Sequence, residues 1–350
     1  MKKKLVSMLL CAVMTVTMVS GCGSETEEPA QDAAPEAAEQ EETPAADAEP
    51  AQEETAGDSA EGKTYKIGFS QGTMNHPFRV AMVEENVSYA KENYPEFDVT
   101  VTDGQNDSAT QVQDVEDLLA SGIDLLLISP LTSDALTDVC QKAMDAGVPV
   151  VTLDRNVECD VTCYIGAENK PMGVASADKL AEMLDGKGNI VEIQGTAGAS
   201  ATIDRHDGFV EQLEAKYPDM KVISDQYCDY LREDAMQFME DTLQRFGEGE
   251  IDAVYCHNDE MALGALEAIK SAGRQDEGIL LVGMDGTEVA FEAVQAGEMA
   301  FSVVYPYCAP EGMQAAYEIL EGSGRDVRWQ LDTAIVDADN VSEWIGKGLE

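Results

Sequence analysis

The sequence predicts an α/β protein built as two doubly wound lobes facing each other, and three observations carry that prediction. Short apolar, strand-like runs alternate with helical patterns from Tyr65 onward, which means a mostly parallel sheet. The series runs once to Gly166 and then restarts, so two such layers are expected. About 286 residues from Tyr65 to the end are enough for two separate cores.

Taken in order, residues 65–71, 97–102, 125–129 and 148–153 read as strands, each but the last followed by a helical stretch ending near Gly or Asp. Residues 162–166 close the first series. The second consists of 190–194, 221–227, 251–256, 279–284 and 299–304, separated by helical patterns such as 261–271, in which Met261, Leu263 and Leu266 read as core. The cleft between two such lobes is the natural place for a ligand.

The most informative strand is the one inside GVPVVTLDRN, residues 147–156. Val148, Val150, Val151 and Leu153 are too continuous for a half-exposed strand and suit one covered on both faces. Ligands in open α/β sheets sit beyond the carboxyl ends of the strands, which is where Asp154 and Arg155 fall. A carboxylate beside a guanidinium suits a polyol, because each hydroxyl both donates and accepts. The simpler alternative is a salt bridge at a strand end. At SQGTMNHPFR, residues 70–79, a strand ends in a polar loop and a helix starts at Pro77, aiming Phe78 and Arg79 toward the same cleft.

The N-terminal part is of another kind. Lys2, Lys3 and Lys4 precede an apolar run over 5–19 that ends in Ser20, Gly21 and Cys22, a secretory signal pattern too short to span a bilayer. Small residues before a cysteine resemble the lipobox of bacterial lipoproteins, with Val19 in place of the usual leucine, and the resemblance implies lipidation of Cys22 after cleavage. Residues 23–63 form an acidic linker with fourteen acidic side chains and no large apolar one, so no core can form there. As a flexible coil it would reach roughly 35 Å and act as a tether.

The formal net charge is −46, to which the signal contributes +3 and residues 23–62 contribute −14, leaving −35 for residues 63–350. That field argues against nucleic acid and favours a neutral or cationic small ligand. Of eight cysteines, six lie beyond Cys22, and their spacing makes no disulfide framework; Cys140 and Cys256 sit in apolar elements as small hydrophobes. Cys159 and Cys163 are close in sequence, but no CxxC or paired histidine accompanies them. His76, His206 and His257 are far apart and could meet only through the fold, so neither a metal nor another cofactor is expected.

Four stretches in order carry a family resemblance: TLDR at 152–155, VEIQGTAGASATIDRHDGF at 191–209, CHNDEMALGALEAIKSAG at 256–273 and VGMDGT at 282–287. Together they resemble the ribose and galactofuranose binding family, the sugar-binding proteins of ABC importers, from Tyr65 to about Leu331. The resemblance implies two Rossmann-like lobes joined by three crossovers, one lobe from 64–167 and 306–331 and the other from 168–305 and 332–350. It implies that Asp154 and Arg155 contact sugar hydroxyls with Phe78 as an aromatic wall, that Arg205, Asn258 and Asp285 do so from the second lobe, and that Tyr230 stacks. Aromatic faces suit the apolar C–H surface of a sugar.

The chain departs from the ribose pattern at three places. Arg79 replaces a second aromatic, Met284 replaces an aromatic before Asp285, and Tyr305 falls near a crossover position where ribose binders carry glutamine. Arg79 and the run GTAGASATIDR look closer to galactofuranose binders, while three arginines against two aspartates point also to a sugar acid. Plainer roles exist for some: Asn258 or Asp259 as a helix cap, Arg205 with Asp204 as a surface pair, Tyr230 as loop packing.

The expectation is an extracytoplasmic, membrane-tethered monomer that captures a monosaccharide for an ABC permease and its ATPase, on the outer face of the cytoplasmic membrane. One rival is a sensor subunit presenting the same ligand to a chemoreceptor or kinase. Another is a glycosidase using Asp154 and Asp285, which would need one carboxyl as a general acid. A repressor of the same fold would need DNA-binding helices where the signal sequence stands.

Overall fold

The computed structural model describes residues 63–324 and 327–349, and the signal reading, Cys22 included, and the linker reading up to residue 62 lie outside the described residues. The first layer is a six-stranded parallel sheet with strand order β11-β5-β4-β3-β1-β2. Its strands are β1 (Tyr65–Gln71), β2 (Phe97–Asp103), β3 (Leu125–Ser129), β4 (Val150–Leu153), β5 (Cys163–Gly166) and β11 (Arg328–Gln330). Helices α1 (Pro77–Asn93), α2 (Ser108–Ala120), α3 (Ser133–Asp145) and α9 (Glu311–Leu320) pack on it.

The second layer has the matching order β12-β10-β9-β8-β6-β7. It contains β6 (Lys187–Gln194), β7 (Asp219–Tyr227), β8 (Ala253–Cys256), β9 (Leu280–Asp285) and β10 (Phe301–Val304), with β12 (Ala334–Asp337) antiparallel at its edge. Its helices are α4 (Asn169–Met183), α5 (Ser200–Lys216), α6 (Arg232–Arg245), α7 (Asp259–Ser271) and α8 (Glu288–Gln295). The chain crosses between the sheets three times: after β5, after β10 and after β11.

Burial follows position in the sheet. LLLIS of β3 and VVTL of β4 are buried throughout, as expected of parallel strands covered by helices on both faces, whereas the edge strand β2 keeps much of its surface exposed. β4 begins at Val150 and not at Val148, because Pro149 has no N–H to give the ladder. The sequence pattern does not reveal β11 and β12. RWQ and AIVD are short edge segments with no fully buried face, and pairing alone makes them strands.

Two glycines decide how α5 sits. A Cβ at Gly173 of α4 would collide with the Arg205 carbonyl, and one at Gly208 would collide with that of Lys170. Backbone therefore meets backbone where the two helices cross, and Arg205 is fixed with its side chain buried. Met261, Leu263 and Leu266 are buried core residues of α7. Cys159 carries a free thiol whose Sγ lies 3.6 Å from the Thr137 carbonyl, and it forms no bridge to Cys163.

Candidate functional site

The carboxyl ends of both sheets face one small, nearly filled space, with a cavity volume of about 10 Å³. From the first lobe come His76, which precedes α1, then Phe78 and Arg79 in the first turn of that helix, and Asp154 just after β4. The second lobe supplies Ala201 and Arg205 from α5, Tyr230 from the turn after β7, Asn258 at the start of α7, and Asp285 at the end of β9.

Seven of the nine residues singled out from the sequence line this space. Arg155 and Tyr305 stand directly behind it. Arg155 is fully buried; its Nη1 donates to the Leu131 carbonyl at 2.9 Å and its guanidinium lies 5.2 Å from the Tyr230 ring centroid. Tyr305 packs its ring against Phe78 at 5.8 Å and beneath the Arg205 guanidinium at 4.9 Å, and its hydroxyl donates to the Asp154 carbonyl at 3.4 Å.

Arg79 and Asp154 form the central pair. Arg79 Nη2 lies 2.5 Å from Asp154 Oδ2, and Nη1 donates to Ser129 Oγ at 2.9 Å. Burial pushes the Asp154 carboxyl up, but the guanidiniums of Arg79, Arg155 and Arg205 outweigh it and hold the group below the usual carboxylate range. Burial, with Arg79 close by, brings Arg155 down to about 10. Burial among Arg79 and Arg155 pushes His76 well below an ordinary imidazole, so it is neutral at pH 7. Burial and the neighbouring Asp259 carboxylate push Asp285 well up.

Several polar atoms of the first lobe are buried without any hydrogen bond: Arg79 Nε, Arg155 Nε and Nη2, and both ring nitrogens of His76, whereas Asp154 Oδ2 is held by the ion pair with Arg79. Each such atom costs free energy unless something pairs with it. The second-lobe groups differ. Arg205 Nε donates to Asn169 Oδ1 at 2.8 Å and its Nη1 to the His257 carbonyl, with no pairing to Asp204. The Tyr230 hydroxyl lies 2.8 Å from Thr202 Oγ1, and the residue is buried, not half-exposed in a loop.

Asn258 does two things. Its Oδ1 caps α7 by accepting from the Met261 N–H at 2.9 Å, while its Nδ2 donates to the Tyr230 carbonyl at 3.2 Å. Asp259 does not cap; it accepts from the amides of Gly286 and Thr287 and from Ser302 Oγ, tying α7 to the loop that carries Asp285.

Backbone strain gathers at the same place. Asp154 (φ 62°), Tyr230 (φ 64°) and Asp285 (φ 122°) all lie at positive φ, unusual for residues with side chains. Tyr230 fits only because Gly195 lies beneath its ring, where a Cβ would clash.

The sequence reading did not include His76 in the site. Its one signal is the position before a helix-starting proline, in the loop that follows the carboxyl end of β1. Among the described residues no group of three His, Cys, Asp or Glu side chains is placed to hold a metal.

Two doubly wound lobes that close buried polar groups over one small space define a two-lobed binding protein. The chain belongs to the periplasmic binding protein domain family, whose model matches residues 67–323. It is similar to the ribose import binding protein of Bacillus subtilis, 37% identical over 280 residues that cover 78% of this chain and 88% of that protein. It is also similar to the galactofuranose-binding protein of Escherichia coli, 33% identical and covering 74% and 82% of the two chains. Among solved structures, the fructose-binding periplasmic domain of a hybrid two-component system superposes with a TM-score of 0.76 at 33% identity, covering 81% of this chain and 94% of that one. Its relatives bind substrates without transforming them, and this chain is a binding protein, not an enzyme.

Proposed function

We propose that this protein captures a neutral monosaccharide in the interlobe cleft, as a furanose hexose or a pentose, and presents it to the permease of an ABC importer. The observation that carries the proposal is the set of buried nitrogens without hydrogen bonds on His76 and Arg79, which line the space beside the Asp154 carboxylate and the Phe78 and Tyr230 rings, and on Arg155 behind them. A polyol answers it, since each hydroxyl donates once and accepts twice. The ring nitrogens of neutral His76 ask for one donor and one acceptor, which a carboxylate alone cannot supply.

Arg79 favours the furanose reading over ribose. Its planar fork, half engaged by Asp154, offers Nε to an exocyclic hydroxyl. Relatives on both sides of that choice exist, one binding ribose and one galactofuranose. In the same reading residues 1–22 are a signal with Cys22 lipidated, 23–63 are the tether, 64–167 with 306–331 form the first lobe, and 168–305 with 332–350 form the second. The binding residues are Phe78, Arg79, Asp154, Arg155, Arg205, Tyr230, Asn258, Asp285 and Tyr305, joined by His76, in a monomer outside the cytoplasmic membrane. A sensor role is the second reading, favoured by the likeness to the periplasmic domain of a two-component system.

The test is a thermal-shift screen of galactose, fructose, arabinose, ribose, myo-inositol and galacturonate. A true ligand at a hundredfold excess over Kd stabilises by roughly 2.7 kcal/mol. A response to galacturonate alone would replace the neutral sugar by a sugar acid, and no response from any sugar would overturn the proposal.

A further inference from the structure

Behind the cleft, one buried carboxylate holds two imidazoles. Glu192 lies on β6 with its side chain fully buried. Its Oε1 is 3.0 Å from His257 Nε2 and 3.0 Å from His206 Nδ1, and Oε2 is also 3.0 Å from His206 Nδ1. The Gly195 amide donates to His257 Nδ1 at 3.4 Å, so Nε2 carries the His257 proton and donates it to Glu192.

Each imidazole adjoins a group that lines the cleft. His206 follows Arg205 on α5, and His257 precedes Asn258 at the start of α7. The backbone closes the circuit, because the His257 carbonyl accepts from Arg205 Nη1. His206 alone reaches solvent, with 38% of its side chain exposed.

We propose that Glu192, His206 and His257 are positioning residues for the cleft: the shared carboxylate sets α5 against the end of β8, and thereby Arg205 against Asn258, and the proton on His206 tunes how firmly it does so. None of the three lines the cleft. The consequence for ligand affinity rests on the cleft being the binding site; the brace itself does not.

The surroundings favour a charged His206. It faces Glu192 and the Gln194 amide from β6, Asp225 from β7 and Asp207 from its own helix, with no cation among them. The hydrogen bond to Glu192 raises His206 above 6.5. Although burial pushes Glu192 up, the two imidazoles bring it down to about 2. His257 is flanked by Glu192, Arg205, His206 and the Tyr255 ring, and burial holds it neutral. As pH rises through the His206 value, Glu192 loses the cationic one of its two imidazole partners and keeps neutral donors from both.

The experiment is nuclear magnetic resonance on the full 15N-labelled chain without any sugar, following the imidazole nitrogens and the Arg205 Nε–H signal from pH 5 to 9. His206 is expected to titrate above 6.5, His257 to stay in the Nε2–H form, and the Arg205 signal to move with the His206 midpoint. In Glu192→Gln the His206 midpoint should fall and the Arg205 signal should lose its pH dependence. Where Glu192→Gln fails to fold, His206→Gln carries the test, and in it the Arg205 response should vanish. An Arg205 signal that ignores the His206 midpoint, or one that still titrates in His206→Gln, overturns the proposal. Because no sugar is present, this outcome is independent of what the cleft binds.

Discussion

The two walls of the cleft are built from the same kinds of side chain yet satisfied in opposite ways. On the second lobe Arg205, Asn258 and Tyr230 spend their hydrogen bonds on Asn169, His257, Met261 and Thr202 within that lobe. On the first lobe Asp154 pairs with Arg79, while Arg79 Nε, Arg155 Nε and Nη2 and both His76 ring nitrogens stay buried without a hydrogen bond. A satisfied wall holds its shape whatever is bound, whereas an unsatisfied one has bonding capacity left for a ligand. Discrimination between sugars should therefore reside in the first lobe, with the second acting as a rigid template.

The largest expected effect comes from removing the one carboxylate at the centre of the unsatisfied wall. Asp154→Ala leaves Arg79 and Arg155 without their buried counter-charge and the sugar without its acceptor, a cost of about 3 kcal/mol or more. Affinity measured by calorimetry should fall over a hundredfold, and an unchanged Kd would remove Asp154 from the site. Next is Arg79→Phe, which restores an aromatic where ribose binders have one. It should weaken the native sugar by about 1.5–3 kcal/mol and narrow its advantage over ribose. Calorimetry with both sugars on both proteins decides it, since a uniform loss would mean that Arg79 binds without selecting.

The smallest effect is on pH dependence, and here the lobes should differ in sign. His76 is held below the unfolded value of 6.5, so its contribution to stability is present above pH 6.5 and is lost as pH falls through its depressed value. His206 is held above 6.5, so its contribution is present below 6.5 and is lost as pH rises through its raised value. The melting temperature of the sugar-free protein should decline on both sides. His76→Asn, which puts a residue suited to the N-cap position there, should flatten only the acid limb, and His206→Gln only the alkaline one. A variant that flattens the other limb would reverse the assignment.

What the sequence shows and hides follows from how each element is built. β4 and the Asp154–Arg155 pair are legible because an unbroken buried run ends abruptly in two charges, and the parallel fold places that end at the cleft. Arg205, Asn258 and Asp285 become legible through family resemblance, since nothing local separates them from a surface pair or a cap. His76 is hidden because its signal is a single position before Pro77. Glu192 is hidden because one charge inside the apolar run of β6 looks like an outward-facing strand residue, yet it is fully buried. Its partner His257 lies 65 residues away, brought near only by the pairing of β6 with β8.

The most direct measurement is a crystal structure of the protein with the tightest-binding sugar of the thermal-shift panel. The asymmetry between the lobes predicts that Arg79 Nε, the free nitrogens of Arg155 and the His76 ring meet sugar hydroxyls at about 2.7–3.2 Å, while the bonds of Arg205 to Asn169 and of Tyr230 to Thr202 stay as they are. A sugar held mainly by the second lobe, with those first-lobe atoms still unpaired, would contradict it.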